Sequence, residues 1–375
     1  MQKHTWGTKV RNALQSNRFF AATLAWLGLN AGWIAISGLY PMAHDEQFHL
    51  GLIRIYSQRL TPFWGSTQPA GEALYGAVSR DPSYLYHYLV SIPFRFFDNI
   101  VQSEVGQVIT LRFISIALVL MGLIVFRKVL LEARFQKTVV HVGLAVFAVT
   151  PLVPFFAAQV NYDPLLFLCT ALTLLFTQRV SKEISAKKLQ ARTLLLLALV
   201  AMFGSLVKYA FLPVVLGVVC YLVFCWRKQN TSLKTSRKQI VQGIHGFSVI
   251  SKIVLLGSCL LLLGMNIERY GVNTVLHHTP TPECDQVIGV DRCMAYSPWR
   301  RNYLTTKAKN EGRLKTKYTS KNPIRYAVTI WSSKMTDQLF FTIDGASSNY
   351  KIGKPFRVPR IASVTFMLIG ILLFI

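Results

Sequence analysis

The chain has 375 residues, 52% of them apolar and only 15% charged, with a formal net charge of 41 − 16 = +25. Soluble domains carry nearer ~25% charged residues. Here the apolar residues also gather into long runs, which excludes a soluble enzyme, a disordered chain and a disulfide-stapled miniprotein. The remaining class is an all-α polytopic membrane protein.

In chain order the runs are Phe19–Tyr40, Val108–Phe126, Val139–Phe156, Pro164–Thr177, Thr193–Val207, Tyr209–Trp226, Ile253–Ile267 and Ile361–Ile375. Several reach or approach the ~20 residues that cross ~30 Å of hydrocarbon. The first is too long for the core of a signal peptide and reads as an uncleaved first helix. The stretch 193–226, taken as one helix, would be about 51 Å long, too long for one span. The sequence therefore predicts two short helices turning at Lys208–Tyr209, and about eight spans in all. The last run stops at Ile375 without a polar tail, which suggests a chain that continues. This organisation divides the sequence into a membrane module over 1–265, a long outer segment over 266–360 and the start of a further span over 361–375.

Charge placement orients the bundle. The basic clusters lie before the first run (Lys3, Lys9, Arg11, Arg18), at 127–137, at 179–192 and at 227–252, with only Glu132 and Glu183 as acids among them. The positive-inside rule puts all four clusters and the N-terminus in the cytoplasm. Membrane topology thus accounts for the positive excess, and no nucleic-acid partner is needed. The outer side then carries two long segments, 41–107 and 266–360, and long loops are usually functional. In the first, Phe48, Leu52, Ile55 and Tyr56 fall at helical spacing within Glu46–Ser57, as in a helix lying on the membrane surface. Tyr84–Phe97 reads as a second, aromatic interfacial helix. Cys284 and Cys293, nine apart in the second outer segment, suit either a disulfide in an oxidising compartment or two free thiols. The Asn230-Thr231-Ser232 sequon lies in a cytoplasmic loop and the outer loops have none, which leans toward a prokaryotic plasma membrane.

The sharpest chemical cluster is His44-Asp45-Glu46-Gln47-Phe48-His49, just after the first span. At helical spacing Asp45 and Glu46 both neighbour His49. A carboxylate there could act as general base or bind a divalent metal together with its neighbours. Equally, Asp45 could only cap the helix that follows. Asn161-Tyr162-Asp163-Pro164 offers a second outer acid, or again a helix start with Asp as cap and Pro in the first turn. Cations on the same side are Lys208 at the hairpin tip, Arg54, and Arg300 and Arg301 after Tyr296-Ser297-Pro298-Trp299. They suit a phosphate-linked lipid, although Lys208 alone could be snorkelling and the basic run Lys307–Lys321 could touch anionic lipid.

The order of these elements, with an outer Asp45-Glu46 pair followed by His49, an interfacial helix, Leu111–Ser115 in the second span and Asn161-Tyr162-Asp163 before the fourth, resembles the GT-C superfamily of integral-membrane glycosyltransferases. The similarity is to protein O-mannosyltransferases, lipid A aminoarabinose transferases and related bacterial membrane proteins. It covers about residues 19–210; the segment 266–375 carries no recognisable pattern. The resemblance implies a GT-C-like helical bundle and inverting transfer of a sugar from a polyprenyl-phosphate donor to a glycan, lipid or protein acceptor on the outer face. By the same resemblance Asp45 is the catalytic base, with Glu46 and Asp163 as further acids. Lys208 would face the donor phosphate, with Arg54, Arg300 and Arg301 as other phosphate-binding cations. His49 and Tyr209 are placed with the substrate. A metal, with Asp45, Glu46 and Asp163 as its candidate ligands, is left open. The rival classes are a lipid-linked glycan transporter and a non-catalytic lipid-binding scaffold. Against a transporter, the ionisable groups of the spans sit at their ends.

Overall fold

The computed structural model describes residues 6–42, 45–64, 69–229, 233–313 and Ile324. The expectations at His44, at the Asn230-Thr231-Ser232 sequon, in the basic run beyond Arg313 and at the span 361–375 lie outside them. The described residues form helices and turns, with no strand. In chain order the helices are α1 (Trp6–Gln15), α2 (Asn17–Ser37), α3 (Glu46–Ser57), α4 (Glu72–Tyr75), α5 (Leu85–Asp98), α6 (Glu104–Glu132), α7 (Lys137–Val149), α8 (Leu152–Ala157), α9 (Asp163–Ser185), α10 (Ala191–Val207), α11 (Leu212–Lys228), α12 (Leu233–His245), α13 (Val249–Asn266), α14 (Val272–His277), α15 (Cys284–Ile288), α16 (Val290–Cys293) and α17 (Ser297–Asn310). A 3-10 turn at Tyr209–Phe211 precedes α11, and a π-helical turn at Ile267–Gly271 joins α13 to α14.

Among the described residues, five helical stretches are long and apolar enough to cross a membrane: Asn17–Ser37, Glu104–Glu132, Asp163–Ser185, Tyr209–Lys228 and Val249–His277. Lys137–Val149 and Ala191–Val207 are shorter apolar helices. The third apolar run of the sequence divides at Thr150–Pro151, because proline cannot donate the amide that would continue α7. The seventh runs on past Ile267 to His277, so part of the expected outer segment is helix continuous with the span. The stretch 193–226 does turn at Lys208, whose backbone is extended between α10 and the 3-10 turn. Near the ends of α10 and α11 remote from Lys208, Leu197, Leu194, Leu222 and Trp226 pack with Val180 and Ile184 of α9, so the two helices run antiparallel.

Caps start the helices where the sequence supplies them. Ser16 accepts from the amide of Phe19 (3.0 Å), Ser103 from Gly106 (3.2 Å) and Ser248 from Ser251 (3.2 Å). Helices α7, α2, α6, α9, α10 and α13 pack in that order, each against the next, and α11 lies against α9. At one end, Arg127 bonds Asn17, Arg179 and Lys182 reach Glu132, and Gln239 of α12 bonds the backbone of Lys187 and Leu189. The opposite end carries α3–α5 and α14–α17. Its core joins Leu50, Ile53 and Tyr56 of α3, Tyr86 and Val90 of α5, Leu111 of α6 and Val207 of α10. A small lobe is built on the Cys284–Cys293 disulfide, packed with Ile288 and Trp299.

Candidate active site

Glu46, at the polar end, is fully buried. Its carboxylate takes both ends of the Arg112 guanidinium, Nε to Oε1 and Nη2 to Oε2, each at 2.8 Å. It also accepts the amides of Met42 (2.7 Å) and Val160 (3.2 Å). Arg112 spends its remaining donors on backbone carbonyls at and just past the C-terminal end of α2, Nη1 on Ala35 and Gly38 at 2.8 Å each and Nη2 on Leu39 at 3.5 Å. One bidentate pair therefore joins the end of α2, the start of α3, α6 and the turn before α9. Arg112 is the ninth residue of α6. The sequence expectation that ionisable groups sit only at span ends misses it, because a buried cation in a helix is tolerated when every donor is met.

Anchoring Glu46 turns its neighbour the other way. Asp45 is exposed and makes no side-chain cap bond to α3. It lines a cavity of about 800 Å³ together with Tyr75, Asp81, Ser83, His87, Tyr162, Tyr209, Tyr296 and Arg301. Asp163, the first residue of α9, instead pairs with Lys208 (Nζ to Oδ1, 3.0 Å), and the Lys208 ammonium lies 4.3 Å from the centre of the Tyr162 ring. That ring is part of the cavity wall, so the Lys208 ammonium lies against a wall residue, while neither Lys208 nor Asp163 lines the cavity itself.

The other expected residues separate. Arg301 and Tyr209 line the cavity and Arg300 does not. Arg54 is turned away, bonded to Glu104 (2.9 Å) and Gln107 (3.2 Å). His49 is buried behind the wall, its Nδ1 2.8 Å from Nε2 of His87, with the two rings stacked. Burial and the neighbouring His87 and Lys208 hold His49 well below the ordinary imidazole range, and burial pushes His87 down to about 3. The pair is therefore neutral at physiological pH. Asp45, Glu46 and Asp163 do not assemble into a metal set, and among the described residues no three His, Cys, Asp or Glu side chains are grouped to hold an ion.

Asp81 is the site residue that the sequence reading passed over. The segment that carries it is pinned from several sides. Buried Glu72 accepts the amide and hydroxyl of Ser79 (2.8 and 2.6 Å), and Arg80 pairs with Glu268 (2.7 Å). Arg269, from the π-helical turn, bonds the carbonyls of Ser79 and Pro62 (the latter at 2.8 Å) and lies over the Tyr84 ring. Gly76 adopts φ +84°, and a β-carbon there would press on the ring of Tyr296, so glycine is needed at this point of the wall. Burial raises the Asp81 carboxyl above its usual range, opposed by the Ser83 amide and by Arg269. The usable signal was an acid four residues before the aromatic helix α5, in the same outer segment as Asp45.

Residues 88–254, somewhat under half of the chain, match the family described as dolichyl-phosphate-mannose-protein mannosyltransferase. The matched stretch holds Arg112, Asp163 and Lys208, whereas Asp45, Asp81 and the disulfide lobe lie outside it. No curated protein and no solved structure matches the chain. The family match, on a bundle of apolar helices with a polar cavity at one end, indicates a membrane glycosyltransferase of the GT-C type.

Proposed function

We propose that the chain moves a sugar from a polyprenyl-phosphate carrier to an acceptor hydroxyl or amide at the Asp45 cavity, with inversion at the anomeric carbon. The observation that carries this reading is the contrast between adjacent acids. Glu46 has both oxygens committed to Arg112, whereas Asp45 makes no cap bond and faces a cavity that also holds a cation. In the reaction, Asp45 takes the acceptor proton as the acceptor atom bonds to the anomeric carbon. The bond from that carbon to the phosphate oxygen breaks on the opposite side, and the electron pair leaves with the lipid phosphate. Arg301 on the cavity wall and Lys208 against Tyr162 supply the positive charge that stabilises the departing phosphate. Glu46 and Arg112 position Asp45 and take no part in proton transfer. Asp163 holds Lys208 in place. The energy comes from the activated donor, and no nucleotide is consumed. The basic end of the bundle faces the cytoplasm and the cavity opens on the outer face of a plasma membrane.

The test compares lipids that co-purify with the wild-type and Asp45→Asn proteins, read by native mass spectrometry. A blocked base traps the donor, so a polyprenyl-phosphate sugar is expected to be enriched on the variant. Ordinary phospholipid on both proteins, or full transfer by Asp45→Asn, would overturn the reading.

A further inference from the structure

A second cavity, of about 660 Å³, adjoins the Asp45 cavity. The two share Tyr75, Asp81, Tyr209, Tyr296 and Pro298, so they are chambers of one space with Asp81 on the common wall. The far wall of the second chamber comes from the disulfide lobe and α17. The lobe is self-supporting there: Cys284 is bonded to Cys293, the Trp299 indole donates to Asp285 Oδ1 (3.2 Å), and the Tyr303 ring stacks on Trp299 with centroids 4.8 Å apart.

We propose that this second chamber is the acceptor subsite and that it takes a neutral carbohydrate. The inference rests on the transferase reading and adds the class of its second substrate. The chemistry of the wall selects among acceptors. Among the described residues that line it there is no Val, Leu, Ile, Met or Phe; its aliphatic surface is limited to Ala77, Pro82, Pro282 and Pro298, with no long aliphatic side chain to line an acyl chain. None is Lys or Arg, so a phosphorylated acceptor would meet Glu283 and Asp285 on the far wall with no cation among the lining residues. What the wall does offer is aromatic surface from Trp299 and Tyr303 beside carboxylates and the Asn302 amide. A sugar ring has this complement. Its polarised C–H face packs on an aromatic ring, and its adjacent hydroxyls donate to carboxylates and pair with an amide. The volume lies within the range of small-molecule sites, ~300–1,000 Å³. Asp81, on the shared wall, orients the acceptor hydroxyl that enters the Asp45 chamber.

The experiment uses the full chain in detergent with mannotetraose, cellotetraose and a lysine-flanked threonine peptide as probes, read by saturation-transfer-difference NMR. At least one oligosaccharide is expected to bind. Tyr303→Ala, which removes the stacking ring, and Asn302→Ala, on the exposed side of α17, should each weaken it about fivefold. Thermal melts check that the lobe stays folded, and Asn302→Ala carries the test if Tyr303→Ala does not fold. Absence of binding by both oligosaccharides, binding of the peptide alone, or unchanged affinity in the folded variants would overturn the proposal. Failure of the transferase reading would show separately, as absence of the donor lipid from Asp45→Asn.

Discussion

The Glu46–Arg112 pair should behave as a structural clamp, and a double-mutant cycle tests this. Both side chains are essentially inaccessible, at 0% and 1% exposure. Arg112→Met leaves a buried carboxylate with only the amides of Met42 and Val160, and strips the carbonyls of Ala35 and Gly38 of their donor. Breaking one side of a buried pair costs about 3–5 kcal/mol, because the remaining charge is uncompensated. At about 2 °C per kcal/mol for a large chain, the midpoint of thermal unfolding should fall by roughly 6–10 °C. Glu46→Leu alone should cost a similar amount, since it leaves the guanidinium without its counter-ion. The double variant Glu46→Leu/Arg112→Met removes both charges together, so its loss should be at least ~2 kcal/mol smaller than the sum of the singles. Thermal melts of the four purified proteins in one detergent supply the cycle. A midpoint within ~1 °C of wild type for Arg112→Met, or strictly additive losses, would refute the reasoning. It would also reopen a chemical role for Glu46.

Three further outcomes follow from the same geometry. Asp81→Asn should melt above wild type at pH 7, because burial raises the folded carboxyl above its unfolded value and the ionised form therefore costs stability at neutral pH. The gain should vanish as pH falls through the unfolded value near 3.8, and acceptor affinity should drop; a lower midpoint at pH 7 would contradict this. His49 and His87 are held neutral in the fold, so the unfolded chain binds their protons first, and stability should decline as pH falls below about 6.5. At pH 5.5 the two together should cost about 3 kcal/mol, and His87→Gln should flatten the slope of midpoint against pH; a flat wild-type profile from pH 7 to 5.5 would count against the neutral pair. A single cysteine at Lys238, on the basic end, should be shielded from an impermeant thiol reagent in intact cells, whereas one at Asn302 should react. Each is placed in a background with the free cysteines Cys169, Cys220, Cys225 and Cys259 removed, and the reverse labelling pattern would invert the proposed topology.

Hydropathy and charge by themselves determined the class of this protein, because both are local sums along the chain. Apolar runs of sufficient length must become helices wherever water is excluded. The turn at Lys208 was also legible, since a stretch as long as 193–226 exceeds one bilayer. Local spacing placed Asp45, Glu46 and His49 on one helix, but it could not say which of the two acids faces the cavity. That choice belongs to Arg112, 66 residues away, whose buried guanidinium claims Glu46 and leaves Asp45 exposed. In the same way Glu104 turns Arg54 aside, and Lys208, paired with Asp163, settles against Tyr162. Asp81 enters the cavity only because Glu72, Glu268 and Arg269, at separations from seven to nearly two hundred residues, hold its loop. Burial and ion pairing depend on which groups meet across the fold, so the partners of each charge were decided by the tertiary structure alone.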